Sequence, residues 1–217
     1  MSLVIVGAGP NLGLAVARRF GREGFAVGLI SRTEARLVEL AAQLQIDGIT
    51  AAGAAADIRD SDALSNAIQR LADELGPIEV LEYSPLPARE FMKPILETTV
   101  QDVRGPLEFS VLGAVAATQA VIGPMRATRR GTILFTTGGA AINANPDRAG
   151  VGISFAGEVA YARMLHDALR EEGIHVAHIA VVGRIAPGAD NEPDDIAEVL
   201  WTHHVDRRVF QTRLGMP

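Results

Sequence analysis

The chain has 217 residues, 20 basic against 26 acidic, for a net charge of −6, and no cysteine. The acidic balance excludes the basic footprint of non-specific nucleic-acid binding and of a polybasic membrane anchor. The missing thiols exclude disulfides, cysteine–zinc sites, iron–sulfur clusters and thiol catalysis. With 48 % apolar and 21 % charged residues, the composition suits one globular domain, 1–217, and not a disordered chain.

No apolar run reaches the roughly 18 residues of a membrane helix. The first strand-like run starts at Leu3, which leaves no room for a signal peptide. The expectation is a cytoplasmic protein without nucleic-acid or membrane partners.

Short β-rich runs alternate with helix-period runs. Leu3–Val6 predicts a strand and Asn11–Glu23 a helix, with Leu12, Val16 and Phe20 on one stripe. Ala26–Ile30, Ile49–Ala56 and Ile78–Tyr83 read as strands, separated by helices at Glu34–Leu44 and Ser61–Leu75, the latter capped by Ser61. A long apolar helix follows at Pro106–Arg126, then a strand at Thr132–Thr136, a helix at Gly150–Glu172 and a strand at Ile174–Val182. Pro193 opens a helix over Glu192–His203, because its missing N–H costs nothing there, and Val209–Phe210 reads as a last short strand. Strands alternating with helices of this length must pair in parallel. The fold class is therefore α/β, a single-domain, doubly wound Rossmann fold with a roughly seven-stranded parallel sheet.

The first strand runs into Gly7-Ala8-Gly9-Pro10-Asn11-Leu12-Gly13. Gly7 permits a sharp turn, a side chain at Gly9 would obstruct close approach of a ligand to the backbone, and Gly13 lets the helix pack near the sheet. The helix N-terminus then offers free N–H groups and partial positive charge to a pyrophosphate. After the second strand stands Ser31-Arg32-Thr33, where an NAD enzyme usually carries a carboxylate. A guanidinium and a hydroxyl would pair with the extra phosphate of NADP, so NADP is expected over NAD. The alternative is that Ser31 or Thr33 caps the next helix and Arg32 is solvated.

These residues resemble the short-chain dehydrogenase/reductase family over nearly the whole chain. Gly7 and Gly13 match the first and last glycines of its Gly-x-x-x-Gly-x-Gly loop, and Asn11 replaces the middle one. The resemblance assigns Asp57 to the adenine edge and sets Ser110-Val111-Leu112-Gly113 against the family's Asn-Leu-x-Gly, with Ser110 in place of the active-site asparagine. Glu82-Tyr83-Ser84-Pro85 stands where the family has Asn-Asn-Ala-Gly. Aligning through Ala156-Gly157 and Gly173-Ile174 brings Val151 to the catalytic tyrosine, Phe155 to its lysine and Gly138 to the serine. No lysine occurs in Gly150–Glu172. A divergent member is implied, lacking the Ser/Tyr/Lys set that supplies about 10²–10⁴-fold through acid–base catalysis.

Tyr83 is a substitute acid or a packing tyrosine. Thr136, Thr137 and Asn143 could hydrogen-bond a carbonyl or merely cap loops, and Ser154 lacks a base. Tyr161 and His166 lie too far along their helix to take over. His203 and His204 are adjacent and so do not face each other. They read as a solvated helix end, and no metal site is expected. Gly183–Asn191, with a turn at Pro187-Gly188, is only nine residues long and makes a poor lid.

Two functions follow: a divergent NADP-linked oxidoreductase acting on a small carbonyl or alcohol, or a non-catalytic dinucleotide-binding or assembly protein. The all-round apolar helix Pro106–Arg126 predicts a homodimer or homotetramer, unless the 85–105 segment covers it.

Overall fold

A computed structural model describes residues 1–215, so Met216 and Pro217 of the expected 1–217 domain lie outside the described residues. Its strands are β1 (Ser2–Val6), β2 (Ala26–Ser31), β3 (Ala51–Ala55), β4 (Ile78–Tyr83), β5 (Gly131–Gly138), β6 (Ile174–Val181) and β7 (Gln211–Leu214). They form one sheet in the order β3-β2-β1-β4-β5-β6-β7, with every pairing parallel. The helices are α1 (Leu12–Gly21), α2 (Glu34–Ile46), α3 (Ser61–Leu75), α4 (Val100–Leu107), α5 (Gly113–Thr128), α6 (Ala149–Leu169) and α7 (Pro193–Asp206).

The central strands are buried on both faces, which is why they read as unbroken apolar runs. One face packs α1, α2 and α7 around Phe20, Leu29, Leu44 and Leu200. The other packs α3, α5 and α6 around Ile68, Leu81, Ala117 and Phe135. Strand order reverses between β1 and β4, the point where such sheets hold their ligands.

Four local expectations are corrected. The long helix starts at Val100, before Pro106, because Thr99 and Asp102 form a reciprocal capping box. It then widens into a π turn over Glu108–Leu112 before α5. The last strand is Gln211–Leu214 and not Val209–Phe210; Phe210 only accepts the His178 N–H before pairing begins. α3 is capped by Asp60 and not by Ser61: its Oδ1 accepts the Ala63 N–H at 3.0 Å. Asp60→Ala is expected to cost about 1 kcal/mol in urea denaturation, while Ser61→Ala costs little. Finally, the continuous helix 100–128 is long and apolar enough, by length and composition alone, to cross a membrane. Here Ala114, Ala117, Val121 and Met125 bury one side of it under the sheet.

Candidate functional site

At the end of β1 the backbone turns through Gly7 with φ +97°, and both Gly7 and Ala8 donate to the Ile30 carbonyl. A Cβ at Gly7 would sit 2.5 Å from Pro85 Cα, so this glycine lets β1 and the exit of β4 close together. Gly13 is pressed against Ala8 in the same way, with 3.0 Å from an added Cβ to Ala8 Cα. Gly9 differs: its nearest neighbour would be the Gly7 carbonyl at 4.0 Å, and its open side faces a cavity. No side chain caps the start of α1, and Asn11 instead donates to the Ile185 carbonyl at 3.3 Å. The helix therefore presents its first N–H groups to the same space.

That space is a cavity of about 350 Å³ at the carboxyl edge of the sheet, running over the switch between β1 and β4. The glycine loop forms one wall. Ser31, Arg32 and Asp57 stand at one end, and Ser84, Phe91 and Phe109 line it farther along. All the residues expected to hold a cofactor (Gly7, Gly9, Asn11, Leu12, Gly13, Ser31, Arg32 and Asp57) line this one cavity. A concave wall of small residues with an uncapped helix start fits a dinucleotide diphosphate.

The cationic end holds more than the sequence suggested. Arg36, in the first turn of α2, and Arg59 also line the cavity. Arg59 is committed: its guanidinium bonds Asp57 Oδ2 at 3.0 Å and its backbone N–H bonds Asp57 Oδ1. The Arg59 hydrogen bond holds the Asp57 carboxyl below its usual range. Arg32 and Arg36 are exposed and form no ion pair among the described residues. Thr33 sits at the N-cap of α2 without a side-chain cap bond, and the Ser31 hydroxyl points only to the Thr33 carbonyl at 3.5 Å.

The positions aligned with the family's tyrosine and lysine meet carbon. Val151 and Phe155 are buried in a cluster with Phe91, flanked by Ala88, Phe109 and Ala140. Gly138 lies beside them, since a Cβ there would touch the Phe155 ring at 3.5 Å. Phe91 comes from the segment between β4 and α4, where Lys93 is tied to Asp102 at 2.9 Å and its carbonyl accepts the Ala149 N–H. That segment is thereby fastened across the start of α6.

Ser110 sits in the π turn, buried, and its hydroxyl has no partner. Across from it the buried Glu158 carboxyl leaves Oε1 unpartnered, and burial pushes this acid well above the usual carboxylate range. Tyr83 takes the packing alternative. It is fully buried and its hydroxyl donates to the Phe109 carbonyl in the π turn. A Cβ at Gly113 would collide with that hydroxyl. Burial raises its pKa well above the ordinary value, and its side chain does not line the cavity.

The other candidates are mostly engaged elsewhere. Thr136 donates to Glu82 at 3.1 Å, and Thr137 bonds His178 at 2.7 Å; both are buried. Asn143 is exposed on the loop after β5. Ser154 bonds back to the Val151 carbonyl, Tyr161 packs edge-on to Phe135, and His166 bonds the Val176 carbonyl. The expectation of a solvated pair at the end of α7 is wrong. His203 bonds the Val209 carbonyl and Thr212, while His204 bonds Thr132 and packs among Phe20, Phe25 and Trp201. Both histidines are buried: His204 lies against Phe20 of α1 and Phe25, and His203 stacks on His175 of β6 and bonds Thr212 of β7. Among the described residues no cluster of metal-ligating side chains occurs.

A family model described as short chain dehydrogenase matches residues 2–191. The chain belongs to the short-chain dehydrogenase family. It is 29 % identical over 192 residues to 3-dehydrosphinganine reductase TSC10B of Arabidopsis thaliana, covering 87 % of this chain and 56 % of that protein. A second Arabidopsis protein, 3-dehydrosphinganine reductase TSC10A, is 32 % identical over 128 residues, which is 58 % of this chain and 37 % of its own length. The chain thus spans about half or less of these curated relatives. In fold it is similar to a short-chain dehydrogenase of Rhodopseudomonas palustris, with a TM-score of 0.88 at 24 % identity over 100 % of this chain and 98 % of the other. A metagenomic short-chain oxidoreductase in complex with NADP superposes with a TM-score of 0.85 at 23 % identity, over 99 % and 98 % of the two chains.

Proposed function

We propose that this chain is an NADP(H)-linked oxidoreductase acting on a small carbonyl or alcohol. The observation that carries the proposal is the cavity at the strand switch, bounded by an uncapped helix start and by two unpaired arginines. The glycine loop would hold the diphosphate, and Asp57, oriented by Arg59, would meet the adenine edge. Arg32 and Arg36 would hold the additional phosphate that distinguishes NADP. Bound nicotinamide supplies or accepts a hydride. Val151 and Phe155 exclude water from that end and can move no proton.

Each charge-assisted bond to that phosphate adds about 1.5–3 kcal/mol, or roughly 10–100-fold in affinity. NADPH is therefore expected to quench protein fluorescence at concentrations at least tenfold below those needed for NADH. The double variant Arg32→Glu, Arg36→Glu should lose that preference. Equal affinities in the unmodified protein would remove the NADP assignment.

A second reading is a non-catalytic dinucleotide-binding or assembly protein, and the buried Phe91–Val151–Phe155 cluster favours it. A panel of aldehydes and ketones separates the two: NADPH oxidation supports the first, and tight binding without turnover the second. The reading also includes a cytoplasmic location and a homodimer or homotetramer. Leu112, Ile153 and Met164, exposed on α5's approach and α6, support the self-association.

A further inference from the structure

Glu82 is the penultimate residue of β4, wholly buried on the side of the sheet opposite Tyr83, and no cation bonds it. Its two oxygens meet only hydroxyls. Ser84 Oγ donates to Oε2 at 2.7 Å, and Thr136 Oγ1 donates to Oε1 at 3.1 Å. Ser84 itself lines the cavity, beside the Pro85 backbone that closes against Gly7. A sealed carboxyl is thus one hydrogen bond from a hydroxyl at the cavity wall. An acid buried without a cation is more stable neutral than charged.

We infer that Glu82 and Ser84 form a proton-holding couple that serves the cavity, with Ser84 touching the ligand and Glu82 acting through it. The inference rests on the dinucleotide reading. In the reducing direction a bound reduced nicotinamide would supply the hydride, and with it the electron pair, to the carbonyl carbon. When Glu82 is protonated on Oε2 the Ser84 bond reverses, with Glu82 donating and the Ser84 hydroxyl free to turn to the carbonyl; the carbonyl oxygen would take the Ser84 hydroxyl proton, and Ser84 Oγ the Glu82 proton in exchange. Glu82 is left as a carboxylate and regains a proton from water through the open cavity once the product departs. Oxidation runs the same transfers backwards. The couple supplies what Val151 and Phe155 cannot.

Burial raises the Glu82 carboxyl to about 7, with the Ser84 and Thr136 hydroxyls opposing that rise. The Glu158 carboxyl of α6 is electrostatically linked to it and no histidine, lysine or arginine is. Such an acid can both give and regain a proton near neutral pH.

The test begins with the ligand-free protein. Infrared difference spectra across pH 5–9 should show a protonated-carboxyl component that disappears near neutrality in the unmodified chain and is missing from Glu82→Gln, while the component of the buried Glu158 carboxyl remains in both and is missing only from Glu158→Gln. In Ser84→Ala the Glu82 component should titrate at higher pH, because a hydrogen bond favouring the charged form has gone. Spectra of Glu82→Gln identical to those of the unmodified chain overturn the inference whether or not NADPH binds. NADPH binding is then measured by calorimetry in two buffers of different ionisation enthalpy. The negative charge of NADPH bound in the cavity that Ser84 lines should draw up to about one proton into the unmodified protein near pH 7.5 and fewer into Glu82→Gln. Binding with equal proton counts in both also overturns the couple. No binding in any variant overturns the dinucleotide reading and the inference with it. For any carbonyl that the protein reduces, Ser84→Ala should lower kcat by about 10²-fold or more and flatten its pH profile. An unchanged profile would exclude the relay.

Discussion

Gly7→Ala should unfold the protein at markedly lower urea, whereas Gly9→Ala should fold normally and bind NADPH poorly. The two glycines stand two residues apart in one loop, yet the structure gives them different duties. Gly7 has φ +97°, and an added Cβ would lie 2.5 Å from Pro85 Cα, 2.7 Å from Pro85 N and 2.9 Å from the Ser84 carbonyl carbon. These neighbours are backbone and cannot swing aside. The disfavoured backbone conformation costs about 1–3 kcal/mol and forced overpacking about 1–3 kcal/mol more. The sum, about 2–6 kcal/mol, is a large part of the stability of an ordinary domain. At Gly9 the nearest atom to an added Cβ is 4.0 Å away and φ is not positive, so the change in stability should stay within about 1 kcal/mol. The new methyl projects into the cavity, where it would hold a diphosphate off the backbone and weaken binding by about tenfold, or about 1.4 kcal/mol. Urea midpoints at constant slope report the first effect, and NADPH titration of the folded variants reports the second. A Gly7→Ala protein as stable as the unmodified one would mean that the turn is not locked against β4. A Gly9→Ala protein with full affinity would mean that the diphosphate lies elsewhere.

The strand-and-helix alternation was legible because each central strand is buried on both faces and must be apolar throughout. The glycine loop was legible because its function is local, written in consecutive residues. Signals failed where a residue's role depends on what folds over it. Pro106 reads as a helix start because proline is tolerated in a first turn; the stronger signal was Thr99 with Asp102, a capping box seven residues earlier. β7 is a sheet edge with alternating exposure, so it lacks the apolar run that marks the others. His203 and His204 look solvated only while α7 is imagined with one bare side. Arg36 could have been found, since it stands in the first turn of α2, four residues after Arg32. Phe91 could not, because nothing in the spacing of 85–99 shows that this segment folds back onto Val151 and Phe155. Glu82 is the instructive case: a lone acid inside an apolar strand pattern is a signal in itself, and it passed as one letter of a lost motif.

Buried acids and buried histidines give this protein opposing pH responses, and the balance sets where it is most stable. Burial lowers His175, His178 and His204 to about 4 from an ordinary 6.5. Between those values the unfolded chain binds protons that the native protein refuses, so their contribution is complete above 6.5 and is lost as pH falls toward 4. Glu82 is raised to about 7 and Glu158 is raised as well, both by burial, from an ordinary 4.5. For these the native state holds the extra protons, so their contribution is complete below 4.5 and is lost as pH rises, for Glu82 through about 7. Each unbalanced proton tilts stability by roughly 1 kcal/mol per pH unit. Burial lowers His203 as well, so between 4.5 and 6.5 four histidines oppose two carboxyls, which leaves a net loss toward acid. Above 6.5 only the carboxyls remain, and the slope reverses. Urea denaturation is therefore expected to show greatest stability near pH 6.5 and a decline on both sides. Glu82→Gln removes one carboxyl proton from the balance. It should steepen the acid limb and flatten the alkaline limb around neutrality. A stability profile level from pH 5 to 8 in both proteins would show that these groups are not held in their buried states.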